Sequence, residues 1–253
     1  KTTFYSFQWL EKISENKMTD ILIVLVIFII AMYLVFEDKK KNLFSIMKAT
    51  PCGRSRCIMA KLFTLAVSTV FVTFIIYLSM LIYIGCNFGL AGIHESIQSA
   101  GAFIACPYHF RVWQFLLISI FMKGAAFVII ALFIFLISML SANYMIPFGA
   151  GMLLVMGNVL LYEMFASVGK YNVFHYLNIW SFIKSENLIG NYSLLNIVGI
   201  PVSSAFMANF LIVMLLAVLI LANIFVFVKV RQMPEYSKKI KLNIPISRFY
   251  RRG

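Results

Sequence analysis

Residues 118–140 read ISIFMKGAAFVIIALFIFLISML, a run of apolar residues interrupted by one charged side chain, Lys123. A helix of about 20 residues is enough to cross the hydrocarbon core of a bilayer, which is about 30 Å thick. Polar and apolar residues do not alternate along this stretch, so a strand of a membrane barrel is excluded. The stretch therefore predicts a transmembrane helix.

The rest of the chain repeats this pattern. Of its 253 residues, 62% are hydrophobic and 12% are charged, whereas a soluble domain is typically about half apolar and about a quarter charged. Only helices and closed barrels satisfy the backbone in lipid. We therefore predict an all-α fold, a single transmembrane domain over residues 1–253 built as a polytopic helix bundle. The five predicted spans are approximately 18–36, 62–85, 118–140, 146–165 and 205–228.

The basic residues predict the orientation of the bundle. The formal net charge is +13, and 15 of the 22 Lys and Arg fall in residues 39–61 and 229–253, next to apolar runs. Cytoplasmic loops of membrane proteins carry such an excess of Lys and Arg. Loop 37–61 and tail 229–253 are therefore predicted to be cytoplasmic. This distribution also argues against a nucleic-acid-binding face.

Connections 86–117 and 166–204 are then predicted to lie outside. Within them, stretches 104–117 and 171–204 mix Tyr, Trp, His and Asn with aliphatic residues, a composition typical of short interfacial or re-entrant helices. Five spans with a cytoplasmic C-terminus leave Lys1 outside. We therefore expect at least one further span upstream of Lys1.

Catalytic motifs are not found in this sequence. It has no GxxxxGK[ST] phosphate loop, no HExxH and no GxSxG. We therefore expect no enzymatic activity and no cofactor in this chain. No metal site is expected either, because the three histidines are too scattered along the chain. These histidines are His94, His109 and His175.

Two ionisable residues lie within the predicted spans, Lys123 and Glu163. Charges in hydrocarbon cost several kcal/mol unless they are paired or hydrated, so each is a candidate functional residue. Counting along the third and fourth spans places both within about two turns of the outer interface. An ion pair between them is one interpretation. Separate snorkelling of both side chains to the outer surface is the other.

Two cysteines, Cys86 and Cys106, belong to the predicted outside connection 86–117. A disulfide between them would close a loop of about 20 residues, of the size that such bridges stabilise. The sequence leaves this bridge and two free thiols as alternatives.

The segment between the first two spans reads DKKKNLFSIMKATPCGRSRCIMAKL over residues 38–62. Apolar residues at helical spacing are flanked by Lys, and a Thr-Pro-Cys-Gly turn follows. A short amphipathic helix of this kind binds either the lipid surface or a groove on a partner protein. The residues of the stripe and the turn are Leu43, Phe44, Ile46, Met47, Lys48, Thr50, Pro51 and Gly53, and Arg54 and Arg56 follow.

This pattern, an apolar stripe followed by Lys-Ala-Thr-Pro-Cys-Gly-Arg, resembles the coupling helix of ABC-2-type permeases, the membrane subunits of ABC exporters. The connection HYLNIW…NLIGNYSLLNIVGIPVSS before the last span is also similar to the outside segment of such permeases from Gram-positive bacteria. Permeases of this kind usually have six spans, which agrees with the expectation of a missing upstream span.

The resemblance implies a function. A separate ATPase subunit, which binds ATP and Mg, would contact the residues from Leu43 to Arg56. Its movement would tilt the spans of two permeases, two identical or two different chains, in alternating access. The substrate would be a peptide, an antibiotic or a lipid-like molecule, and the location the bacterial plasma membrane. The alternative is a membrane assembly or immunity protein that binds a partner through the same loop, without transport.

Overall fold

The computed structural model describes residues 7, 9–10, 13, 17–41, 53–104, 106–165, 178–190, 194–197 and 200–229. These residues contain five helices long and apolar enough to cross a membrane, so the predicted all-α, multi-pass membrane bundle is confirmed. The long helices are α1 (Lys17–Lys40), α2 (Gly53–Phe88), α3 (Val112–Leu140), α4 (Met145–Phe165) and α7 (Ser204–Lys229).

Shorter elements connect the long helices. Two 3-10 turns, Ile97–Ser99 and Gly101–Phe103, lie between α2 and α3, and the short helices α5 (Ile179–Ile183) and α6 (Ser185–Gly190) follow α4. Strands β1 (Leu194–Ile197) and β2 (Ile200–Ser203) then form an antiparallel hairpin in the register Leu194↔Ser203 to Ile197↔Ile200. Sequence analysis did not predict this hairpin, which leads directly into α7.

Helix α3 is the central element of the bundle. It packs against all four other long helices and against α5 and α6. In its most apolar stretch 61% of the residues are buried, against 22% or less in α2, α4 and α7. The exposed apolar side chains of these three outer helices, such as Phe63, Leu153 and Leu221, are of the kind expected to face lipid. The outer faces of α2, α4 and α7 therefore form the surface expected to contact lipid, and α3 lies inside it.

One polar side chain joins the last long helix to this centre. Asn223 of α7 is fully buried, and its Nδ2 donates to the backbone oxygen of Leu132 in α3 at 3.2 Å and to that of Leu219 at 2.8 Å. In a membrane such interhelical hydrogen bonds contribute about 0.6 kcal/mol on average. This bond fixes the contact between α7 and α3.

A second, smaller apolar cluster lies at the end of the bundle where α2 finishes and α3 begins. It is built around Phe103, Cys106 and Phe115 together with Trp9, whose Nε1 donates to the backbone oxygen of Ala91 at 3.1 Å. Among the described residues of this stretch, 104 and 106–117, no separate interfacial helix is formed, contrary to one of its two predicted forms. Residues 106–110 are non-helical around Pro107, which cannot supply a helical N–H, and 112–117 are the first turns of α3.

Close packing between α1, α3 and α4 depends on Gly151. A Cβ atom added there would lie 2.8 Å from two ring atoms of Phe28 in α1 and 3.2 Å from Ile134 in α3, whereas Gly157 has open space around it. We expect Gly151→Ala to lower the free energy of unfolding by about 1–3 kcal/mol, the usual cost of overpacking. Gly157→Ala, the matched control on the same helix, should leave it unchanged or raise it by up to about 1 kcal/mol, because alanine is the better helix former. Unfolding by a denaturing detergent measures both, and equal values would contradict this packing.

Candidate functional site

A continuous network of buried polar side chains crosses the interior of the bundle. Tyr77 of α2 donates its hydroxyl to Asp20 of α1, and Lys123 of α3 donates to the same Tyr77 oxygen at 3.2 Å. Lys123 Nζ also lies 2.6 Å from Glu186 Oε1 of α6. Lys184 Nζ, between α5 and α6, lies 3.6 Å from Asp20 Oδ2. All five side chains are at least nine-tenths buried.

Two serines extend this network. Ser119 lies one helical turn before Lys123 on α3, and its Oγ donates to Glu186 Oε1 at 3.1 Å. Ser185 Oγ lies 2.7 Å from Ser119 Oγ. A serine hydroxyl can both donate and accept a hydrogen bond. The two serines can therefore bond to each other and to the carboxylate at the same time. The segment 184–186 therefore contributes three consecutive polar side chains to the interior.

The charges of the network cancel, because two lysines face two carboxylates. Isolated buried charges are very unfavourable, and pairing with hydrogen bonds is what makes burial tolerable. Two carboxylate oxygens nevertheless have no hydrogen-bond donor, Asp20 Oδ2 and Glu186 Oε2. The network is balanced in charge and incomplete in hydrogen bonds.

A small cavity lies beside this network. Tyr77, Ser119, Lys123 and Glu186 line it together with four aliphatic side chains, and it has room for about one water molecule. Lys123 Nζ has three N–H donors, and two of them are accounted for by Glu186 and Tyr77. The residues that line the cavity therefore include a lysine with a third N–H donor and a carboxylate with one unsatisfied oxygen.

This geometry matches neither interpretation of Lys123, because its side chain is buried and is paired neither with Glu163 nor with the outer surface. Lys123 is paired with Glu186, whereas Glu163 is an exposed residue of α4. Helix α3 starts at Val112, so a rise of 1.5 Å per residue places Lys123 about 16 Å from that end of the helix. The acid that pairs with Lys123 is therefore Glu186, from the connection between α4 and α7, and not Glu163 of α4.

The connection that supplies Glu186 enters the bundle, as expected of a re-entrant segment. Asn178 caps α5 by accepting the N–H of Trp180 at 3.0 Å, and its Nδ2 donates to the backbone oxygen of Asn158 in α4 at 2.7 Å. Trp180, Phe182 and Ile183 are buried in the main core. The segment 178–190 is thus anchored at α4 and reaches α1 and α3 through its charged residues.

A second polar cluster lies at the opposite end of the bundle, which we call the basic end and define by Lys39, Lys61 and Ser141. Lys39 is 6% exposed, and its Nζ donates to the backbone oxygens of Ser138, Met139 and Ser141 at 2.8, 3.0 and 2.6 Å. The last carbonyls of a helix have no partner within the helix. Lys39 of α1 therefore caps the C-terminus of α3.

An ion pair between Lys61 of α2 and Asp38 of α1 lies at the same end. It joins α2 to the last turn of α1. Stacking of Phe36 against Tyr144, with ring centroids 4.0 Å apart, adds a contact to the chain that links α3 and α4. Three helices and one connection therefore meet at the basic end through specific contacts.

Most of the predicted coupling residues lie between the end of α1 and the start of α2, and the last three belong to α2. Leu43, Phe44, Ile46, Met47, Lys48, Thr50 and Pro51 are outside the residues that the structure describes. Gly53 is the first residue of α2, Arg54 follows it in the helix, and Arg56 is exposed. The structure therefore defines the boundaries of this segment, at Lys41 and Gly53.

The two cysteines considered for a disulfide are free thiols. Cys106 is buried, and its Sγ faces the backbone oxygen of Ile189 at 3.5 Å, while Cys86 is exposed on α2. The bridge is therefore excluded, and the alternative of two thiols is the one observed. In the described ranges, no group of three or more His, Cys, Asp or Glu is placed to hold a metal ion.

Most members of the buried network were not singled out from the sequence. Asp20 lies at the start of a span, where a charge is ordinary, and Lys184 counted only as a cation of an outside connection. One signal was present. Lys184 and Glu186 lie two positions apart inside a stretch predicted to form interfacial or re-entrant helices, and in the re-entrant form such charges require partners.

Comparisons with protein-family models, with curated proteins and with solved structures give no match for this chain.

Proposed function

We propose that this chain is the membrane subunit of an ATP-driven exporter of the ABC-2 type. It would work with a separate ATPase subunit and a second permease, identical or different, in the bacterial plasma membrane, with its basic end in the cytoplasm. This chain would carry no catalytic site, and ATP and Mg would bind to the ATPase. The substrate would be a peptide, an antibiotic or a lipid-like molecule.

One observation supports this proposal most directly, namely the way the helices on both sides of segment 42–52 are fixed. Before the segment, α1 is held to α3 by Lys39 and to α2 by Asp38. After it, Lys61 of α2 is the other member of that same ion pair. A force applied to the amphipathic segment would therefore reach α1, α2 and the central α3 together, as a coupling element requires.

The resemblance of residues 43–56 to a coupling helix provides the second support. Two bulky apolar residues, Phe44 and Met47, are three positions apart, the spacing that places them on one face of a helix. A groove on an ATPase that accepts such a helix would bury both. Burying one side chain of this size contributes about 1.5–3 kcal/mol.

A purification experiment tests the proposal. The protein in its natural full length is tagged, extracted in mild detergent and examined for a co-purifying ATPase. We expect one to be recovered, and we expect Phe44→Asp with Met47→Asp to reduce its recovery by more than about tenfold, since each 1.4 kcal/mol is a factor of ten in affinity.

The matched control is Ser45→Asp with Ala49→Asp, which adds the same charge on the opposite face of the predicted helix and should preserve recovery. Failure of the intact, membrane-inserted protein to recover any ATPase would refute the exporter proposal. The assembly or immunity alternative would then be favoured.

A further inference from the structure

The re-entrant residues 184–186 bind inside the bundle much as a short peptide binds to a receptor. Three consecutive side chains each meet a complementary group: Lys184 meets Asp20, Ser185 meets Ser119, and Glu186 meets Lys123. Lys184 interrupts the helical path between α5 and α6, with φ −94° and ψ 44°. This break separates the two short helices at the residue that reaches Asp20.

The receiving surface belongs to the long helices. We call it the polar groove and define it by Asp20 of α1, Tyr77 of α2, and Ser119 and Lys123 of α3. It presents a carboxylate and an ammonium group joined by a tyrosine hydroxyl that contacts both. Its net charge is zero, and its complement is a ligand that carries one basic and one acidic group.

The present occupant leaves two carboxylate oxygens in the site without a hydrogen-bond donor. One is Asp20 Oδ2 of the groove, and the other is Glu186 Oε2 of the occupant. Buried ion pairs are in general no more stabilising than the apolar residues that could replace them. A segment selected only to hold the bundle together would therefore be expected to be apolar here.

We propose that the polar groove is a peptide-binding site, and that residues 184–186 occupy it as an internal mimic of the peptide ligand. The ligand is a peptide with a basic and an acidic side chain two positions apart, flanked by apolar residues. Asp20 binds its cation, Lys123 its carboxylate, and Tyr77 and Ser119 hold the two groups in position. This inference rests on the proposed function, in which such a peptide is the exported substrate.

The proposal implies that ligand and residues 184–186 compete for one place. The ligand enters when the segment 178–190 moves away from α3, and it leaves when the segment returns. A cross-link that holds the segment against α3 should therefore prevent binding. Ser119 and Ser185 are suited to such a cross-link because their hydroxyl oxygens are 2.7 Å apart.

The test uses the double variant Ser119→Cys with Ser185→Cys, purified without any ATPase. The probe is a fluorescent synthetic peptide with the sequence of residues 180–188, WSFIKSENL, and binding is measured by fluorescence anisotropy. We expect the oxidised variant to bind the peptide at least tenfold more weakly than the reduced variant. The two single-cysteine variants, treated with the same oxidant, are the controls. Each should bind the peptide equally well before and after oxidation.

Two further measurements identify what the groove recognises. A peptide with Met in place of its Lys and Gln in place of its Glu should bind at least tenfold more weakly than the original peptide. The protein variant Lys184→Met with Glu186→Gln, which weakens the internal occupant, should bind the original peptide at least tenfold more tightly than the unaltered protein.

Equal binding by the oxidised and reduced forms would overturn the proposal, as would equal binding of the two peptides. Displacement of the peptide by phosphoethanolamine at the same concentration would also overturn it, by assigning the groove to zwitterionic headgroups. Because no ATPase is present, these outcomes are separate from the test of the exporter proposal. Loss of ATPase recovery and loss of peptide binding can each occur alone.

Discussion

Replacing Lys123 by Met is expected to lower the free energy of unfolding by about 3–5 kcal/mol, the usual cost of removing one partner from a buried ion pair. Lys123 is 1% exposed, and both Glu186 and Tyr77 depend on it for a hydrogen bond or ion pair. Without the ammonium group, Glu186 is a buried charge whose remaining partner within the network is the Ser119 hydroxyl. Denaturant titration of the purified protein in mixed micelles measures the change.

Two comparisons make this result specific to pairing. Adding Glu186→Gln to Lys123→Met removes the uncompensated charge and should restore part of the lost stability. Lys41→Met breaks an exposed ion pair, in which Lys41 Nζ lies 2.9 Å from Glu37 Oε1. It should change the free energy of unfolding very little, because water screens such pairs. If Lys123→Met were as mild as Lys41→Met, the buried network would not contribute in the way described.

The second large effect is expected at the basic end. Lys39→Met removes the donor for three backbone oxygens at the C-terminus of α3. A hydrogen bond to a charged group contributes about 1.5–3 kcal/mol, and acceptors left unsatisfied in a buried position add their own cost. We expect a loss of at least about 3 kcal/mol, together with faster hydrogen exchange in the last turns of α3, where the cap no longer holds the helix end.

The neighbouring lysine is the natural control for this prediction. Lys40 is exposed and lies over the Tyr144 ring, 5.9 Å from its centroid, and an exposed interaction of this kind contributes about 0.5–1 kcal/mol. Lys40→Met removes the same charge from the same helix turn. Its effect should therefore be several times smaller, and equal effects would show that charge rather than capping is responsible.

The five long helices could be predicted because their signal is local. Twenty consecutive apolar residues are sufficient for a span whatever surrounds them, and residues 146–165 and 205–228 each match the observed helix to within one residue. Helix α2 starts nine residues before the predicted span, at Gly53 instead of 62. Hydropathy measures the part of a helix in lipid, and it does not detect the polar turns that continue the helix beyond it.

The buried network could be predicted only in part, because it depends on tertiary contacts. The sequence identifies Lys123 as a charge that needs a partner, and counting residues gives its depth along α3. Counting does not give the direction in which a side chain points, so Glu163 was a reasonable partner by depth although it is exposed on α4. The depth reached by Glu186 depends on how the re-entrant segment packs against α3, which no local pattern records.

The hairpin of β1 and β2 was missed for a similar reason. Each of its two strands is only four residues long, which is too short for a reliable alternating pattern. The connection to α7 therefore contains a hydrogen-bonded hairpin that its sequence does not indicate.

The cap formed by Lys39 also constrains how the protein is made. Its farthest acceptor, the backbone oxygen of Ser141, is synthesised about 100 residues after it. Until α3 has entered the membrane beside α1, the ammonium group of Lys39 has no carbonyls to bind and must remain in water or among lipid headgroups. Helix α1 therefore forms this contact only after α3 has arrived beside it, and a ribosome stalled between the two would hold an α1 that still lacks it.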